Sequence, residues 1–167
     1  MFKKIAVAAA LIAASAASIA AEPPSFYAGV AGTSTEVDGF DRESGYGAFL
    51  GYKFNQSIAI EGGYYRVADS EYRVGALRGD VTLDQIDLSV IGTLPLSNGF
   101  DLYGRLGVAR LEAEANFAGY TGKEHDTNAL YGLGLGYTFT PVVHGRLEVQ
   151  KPSSDATKIV AGVAFKF

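Results

Sequence analysis

The sequence predicts an all-β chain, an eight-stranded antiparallel up-and-down transmembrane β-barrel behind an export signal. Three observations predict it. Apolar side chains recur at every second position in eight separate segments. Tight turns alternate with longer polar connections along the chain. The segments are apolar on one face, and on the other they carry charges together with many of the 21 glycines.

The N-terminus sets the compartment. Lys3 and Lys4 form a short basic region, residues 5–14 are apolar and Ala-rich, and small residues dominate through Ala21. This is the layout of a secretory signal peptide over residues 1–21, with cleavage after Ala20 or Ala21. The apolar run is too short to anchor securely in a bilayer. Residues 22–167 then form the barrel domain. No later apolar run approaches the roughly 20 residues of a membrane helix, as expected when lipid-facing and lumen-facing residues alternate.

The strands follow in order. Phe26, Ala28 and Val30 oppose Tyr27, Gly29 and Ala31. Tyr46, Ala48, Leu50, Tyr52 and Phe54 oppose Gly45, Gly47, Phe49, Gly51 and Lys53. Ile58, Ile60, Gly62 and Tyr64 oppose Ala59, Glu61, Gly63 and Tyr65. Ile86, Leu88 and Val90 oppose Asp87, Ser89 and Ile91. Leu102, Leu106 and Val108 oppose Asp101, Tyr103, Arg105 and Gly107. Tyr131, Leu133, Leu135, Tyr137 and Phe139 oppose Gly132, Gly134, Gly136 and Thr138. Val143, Gly145, Leu147 and Val149 oppose His144, Arg146, Glu148 and Gln150, and the last strand sets Ile159, Ala161, Val163, Phe165 and Phe167 against Lys158, Val160, Gly162, Ala164 and Lys166. No segment after Ala21 carries a helical period for three turns.

The tight connections are residues 55–57, 94–99 and 140–141, and the longer polar ones are 34–43, 68–79, 112–127 and 151–156. Short turns at one end and long loops at the other is the outer-membrane pattern, with the short turns periplasmic. Tyr52, Phe54, Phe100, Phe139, Phe165 and Phe167 cluster at the short-turn ends, Tyr64 and Tyr131 lie toward the long-loop ends, and Phe117 falls within a loop. Two aromatic girdles explain this placement. A soluble barrel would bury the apolar face, whereas a narrow eight-stranded barrel suits glycine inside and bulk outside, facing lipid. Closure follows because lipid cannot satisfy a free strand edge.

Composition narrows the function classes. The chain has no Cys, so it has neither a disulfide framework nor a thiolate metal site. Its net charge of -4 argues against nucleic-acid binding. Two histidines and scattered carboxylates give no metal-ligand spacing, and residues 132–136 (GLGLG) lack the spacing of a dinucleotide loop. No cofactor is expected.

Residues 45–52 (GYGAFLGY), 102–107 (LYGRLG), 125–127 (HDT), 146–148 (RLE) and 162–167 (GVAFKF) resemble, in order and spacing, the eight-stranded transmembrane domain of the outer-membrane protein A family. The resemblance covers most of residues 24–167. It implies a salt-bridged network inside the barrel, with Glu61, Arg105 and Glu148 at matching inward positions. Where relatives carry a further interior lysine, this chain has Ile91, and Lys158 stands in for an interior arginine before the last strand. The family's larger members continue into a peptidoglycan-binding domain. This chain ends at Phe167, so a barrel-only member is expected, without cell-wall anchoring.

The lumen salt-bridge network is therefore assigned to Glu61, Arg105, Arg146 and Glu148, in preference to a catalytic acid–base set, because buried charges need partners. His125 beside Asp126, with Ser70 in another loop, lacks the spacing of a nucleophile signature, and His144 lies near a periplasmic turn. No catalytic residues are assigned. The acidic residues Glu36, Asp38, Asp41, Glu43, Asp69, Glu71, Glu112, Glu114, Glu124 and Asp126 form a hydrated surface, a candidate site for bridging cations. Arg66, Arg73, Arg78, Arg110 and Lys123 are candidates for lipopolysaccharide phosphates. The expected partners are outer-membrane lipids and lipopolysaccharide, the barrel assembly machinery through the strand ending at Phe167, and surface ligands at the long loops. The expected function is a non-enzymatic outer-membrane barrel in envelope integrity, surface interaction and adhesion. The alternatives are a lipid A-modifying enzyme, a narrow channel and a secreted soluble barrel.

Overall fold

The computed structural model describes residues 23–37, 43–74, 77–117, 120–153 and 156–167, with side chains for all of these except 37, 68–74, 77–81, 113–117 and 120–124. Residues 1–21, where a signal peptide is expected, and Asp38 and Asp41 lie outside the described residues.

Eight antiparallel strands close into a barrel in sequence order. They are β1 (Ser25–Val37), β2 (Glu43–Lys53), β3 (Ile58–Val74), β4 (Leu77–Pro95), β5 (Phe100–Phe117), β6 (Tyr120–Thr140), β7 (Val143–Ser153) and β8 (Ala156–Lys166). β1 pairs with β8 to remove the last edge, and Phe26 and Phe167 exchange backbone hydrogen bonds at that seam. The short turns use local chemistry. The Asn55 carboxamide accepts from the backbone N–H groups of Ser57 and Ile58, and Asn98 and Gly99 take positive φ between β4 and β5.

The alternation decides the two surfaces. Leu50, Ile60, Leu88, Val90, Leu106, Leu133 and Leu147 are exposed on the outer wall, the face expected to meet lipid. Glu61, Asp87, Arg105, Glu148 and Lys158 are buried on the inner wall.

The inner wall also holds bulk that a glycine-lined lumen does not lead one to expect. Phe49, Tyr65 and Tyr103 are buried and Tyr27 is partly buried. Each stands directly across a rung from a glycine: Gly29↔Phe49, Gly51↔Tyr27, Gly47↔Tyr65 and Gly134↔Tyr103. A Cβ at any of those glycines would collide with the facing ring. The inward glycines therefore make room for aromatic rings inside the barrel.

One expectation is corrected. The long polar connections are largely strand: among the described residues, β3 and β4 pair as far as Val74↔Leu77, and β5 and β6 as far as Phe117↔Tyr120. Phe117, read as a loop residue, thus lies at the end of β5. Apolar alternation marks where a strand is in lipid. Hydrogen-bonded pairing needs no apolar face once the strand is in water, so the pattern fades before the strand ends.

Candidate functional site

The lumen brings charge together at mid-barrel. Glu61 projects from β3, Arg105 from β5, and Arg146 and Glu148 from β7. Arg105 lies between two carboxylates: Nη2 donates to Glu61 Oε1 at 2.6 Å and Nε to Glu148 Oε1 at 2.7 Å. Arg146 grips Glu61 as a fork, with Nη1 at 2.6 Å from Oε2 and Nη2 at 3.0 Å from Oε1. Its guanidinium lies 3.4 Å above the Phe49 ring, a cation–π contact away from water.

The glycine-backed tyrosines complete this layer. Tyr27 donates its hydroxyl to Glu61 at 2.9 Å, and Tyr103 donates to Glu148 at 3.1 Å. Sequence reasoning did not find either contact. The available signal was a tyrosine facing a glycine on the next strand, which holds the ring flat and aims its hydroxyl across the lumen.

A second polar layer adjoins the first. Lys158 Nζ donates to Gln85 Oε1 at 2.8 Å, and Gln85 Nε2 donates to Asp87 Oδ2 at 2.8 Å. Lys158 also stands 4.1 Å from the centre of the Tyr65 ring. Asp87 meets Arg105 Nη1 at 3.5 Å and so links the layers. Glu61, Asp87 and Glu148 thus share the interior with Arg105, Arg146 and Lys158, and the formal charges cancel. Ile91, where a lysine is absent relative to the resembled family, is buried against Ala59 and Tyr103 instead.

Below this charged layer, the lumen opens at the short-turn end as a cavity of about 540 Å³. Its walls include Ala59, Ile91, Val143 and Ala164, and Glu61 and Arg146 line its inner end. At its mouth His144 lies 3.7 Å from Asp101 and 3.3 Å from the Thr138 hydroxyl.

The remaining candidates sit elsewhere. His125 is exposed on β6, opposite Glu112 on β5 and at the other end of the barrel from His144. The side chains of Ser70, Arg73, Arg78 and Lys123 lie outside the described set. Arg66 is engaged by Asp84, Nε to Oδ1 at 3.1 Å, and Arg110 by Glu112 at 2.8 Å. Both pairs sit on the outer wall where its apolar side chains end, with Arg110 level with Ile86 and Tyr64. Among the described residues no group of three or more His, Cys, Asp or Glu is placed to hold a metal ion.

Comparison with known proteins places this architecture. The outer membrane protein beta-barrel domain family matches residues 5–167. Outer membrane protein A of Serratia marcescens is 31% identical over 141 residues, which cover 74% of this chain and 39% of that protein. Its counterpart in Salmonella typhi is 31% identical over 166 residues, covering 89% of this chain and 47% of that protein. The chain spans less than half the length of these relatives. Among solved structures, Ail, the attachment invasion locus protein of Yersinia pestis, has a TM-score of 0.61 at 19% identity, covering 86% of this chain and 97% of that one. Neisserial surface protein A has a TM-score of 0.58 at 17% identity, covering 89% of this chain and 100% of that one. At such identities the likeness is one of fold.

Proposed function

This chain belongs to the outer membrane protein beta-barrel domain family and is a barrel of the Gram-negative outer membrane, and from that premise we propose that it is a non-enzymatic envelope protein that presents an interaction surface outside the cell. One observation carries the reading. On β5 the apolar outward residues end at Val108, yet the strand continues to Phe117. On β6 they end at Ala129, and the strand begins at Tyr120. Nine residues of extended chain reach about 30 Å. Spanning the bilayer needs strands of only about 9–11 residues, so the projecting four-stranded sheet serves something beyond insertion.

The lumen supports the envelope part of the proposal. Its central charges are engaged with one another, and the cavity below them ends at the Glu61–Arg146 pair. An interior of this kind favours a sealed wall over a path for solutes. We extend the proposal to biogenesis, with residues 1–21 removed on export and the strand ending at Phe167 recognised during assembly. The pairing of Phe167 with Phe26 at the closing seam supports the second point.

Ail has been solved with the heparin analogue sucrose octasulfate. Around the projecting sheet of this chain, acidic residues outnumber basic ones in sequence, which favours a neutral or cationic protein partner over a sulfated polysaccharide. The test replaces residues 69–81 and 114–123 with two-residue Asn-Gly turns. The shortened barrel is expected to keep heat-modifiable migration in gels, while cells expressing it lose attachment to protein-coated surfaces. Attachment equal to that of the full chain would overturn the proposal.

A further inference from the structure

The cavity at the short-turn end is a bowl with a floor. The floor is the Glu61–Arg146 pair, closed at 2.6 Å, so whatever enters must leave by the same mouth. Val143 at the mouth and Arg146 at the floor are three residues apart on β7, which limits the depth to about 10 Å. The volume of about 540 Å³ lies within the usual range of small-molecule sites. Short turns of bacterial barrels face the periplasm, which makes that compartment the source of a ligand.

We propose that this bowl binds a small organic acid, a carboxylate carried on an apolar body the size of one ring. Wall chemistry is the first argument. β8, β1 and β2 are neighbours in the closed barrel, and there Lys166, Ser25 and Lys53 line the bowl. Register sets Lys53 beside Ser25 and Lys166 beside Tyr27. The turns that follow β4 and β6 supply Pro95, Leu96, Pro141 and Val142 to the rest of the mouth. Deeper in, Ala59, Ile91 and Tyr103 pack together, with Tyr27 against them. Both tyrosine hydroxyls are already donated to carboxylates, so the rings present carbon to the bowl. The bowl is therefore apolar within and cationic along one arc of its mouth.

Charge is the second argument. Among the described residues lining the bowl, Lys53, Lys166 and Arg146 face the carboxylates Glu61 and Asp101, which leaves one positive charge in excess; His144 adds none in its neutral form. Arg146 and Glu61 engage each other at the floor, and Asp101 lies 3.7 Å from His144. The excess falls on the cationic arc, where an anion balances it. The third argument is a buried polar atom. The Ser25 hydroxyl, beside Lys53, is buried without a hydrogen-bond partner in the protein, and a carboxylate between the two lysines gives it an acceptor. Size is the fourth. A depth of about 10 Å takes a ring with its carboxylate and stops an acyl chain of membrane length.

The test uses the full chain refolded into phosphatidylcholine nanodiscs, with para-fluorobenzoate as the probe and its fluorine NMR line as the readout. Saturable broadening is expected, and none with the neutral para-fluorobenzyl alcohol. Lys53→Met and Lys166→Met should each weaken binding about tenfold, the worth of one charged hydrogen bond. Thr93→Phe, which fills the bowl from β4, should abolish it. Heat-modifiable migration shows that each variant has folded. Absence of saturable broadening overturns the proposal, as does equal binding of the alcohol or unchanged binding in the folded lysine or Thr93→Phe variants. A tripeptide ending in phenylalanine that displaces the probe better than phenylpropionate does also overturns it, because the ligand would then be the end of a protein chain. The bowl lies at the opposite end of the barrel from the projecting sheet, so this titration and the attachment assay succeed or fail separately.

Discussion

Removing Arg105 separates the two carboxylates it holds, and the structure says which one suffers. In Arg105→Ala, Glu61 keeps the fork from Arg146 and the Tyr27 hydroxyl. Glu148 loses both contacts from Arg105 and keeps the Tyr103 hydroxyl at 3.1 Å, so the uncompensated charge lies there. Breaking a buried pair by deleting one partner costs about 3–5 kcal/mol. The chain has no Trp, so unfolding is followed by far-ultraviolet circular dichroism or by gel migration after urea. Arg105→Ala should lower the denaturation midpoint. Adding Glu148→Gln should return most of the loss by removing the stranded charge. Adding Glu61→Gln should instead lower the midpoint further, because Arg146 then loses its carboxylate. An unchanged midpoint in Arg105→Ala, or equal rescue by the two glutamine changes, would refute this account of the network.

Other changes probe separate features. Gln85→Leu removes the acceptor for Lys158 and the donor to Asp87, and should cost roughly 1–3 kcal/mol for each group stranded, read as a lower urea midpoint. Gly134→Val would drive its side chain into the Tyr103 ring, and the chain should accumulate in the unfolded gel form. Val90→Arg on the lipid face should cost about 2–4 kcal/mol in a bilayer. Expression of the full chain should leave the lipid A mass spectrum unchanged, and a new acyl pattern would revive the enzyme alternative.

Much of the barrel was legible because lipid enforces a rule at every second residue. Leu133 and Leu135 must face out and Gly132 and Gly134 in, whatever the neighbouring strands do. The interior was less legible, since its contacts run between strands far apart in sequence. Arg146 reaches Glu61 across the lumen, and no local pattern signals such a partner. Lys158 and Asp87 could be placed on the inward face, but the role of Gln85 between them depends on the orientation of one amide. The tyrosines form an intermediate case. Once strand register is known, Gly134 opposite Tyr103 predicts a ring lying flat across the wall, but that register could not be read from either strand alone.

The top of the barrel was misread for a different reason. Apolar alternation reports solvent, and strand pairing reports hydrogen bonding, and the two part company at the membrane surface. On β4 the outward residues run Leu94, Val90, Leu88 and Ile86, then change to Asp84, while the ladder to β5 continues to Gly79↔Phe117. The boundary is thus set by side chains and not by the backbone. The rung Arg66–Asp84–Glu112–His125 is the first that is polar on all four strands, while on β5 and β6 the change comes one rung lower, at Arg110 and Thr127. Above that rung the sheet is free of the lipid's demand for closure.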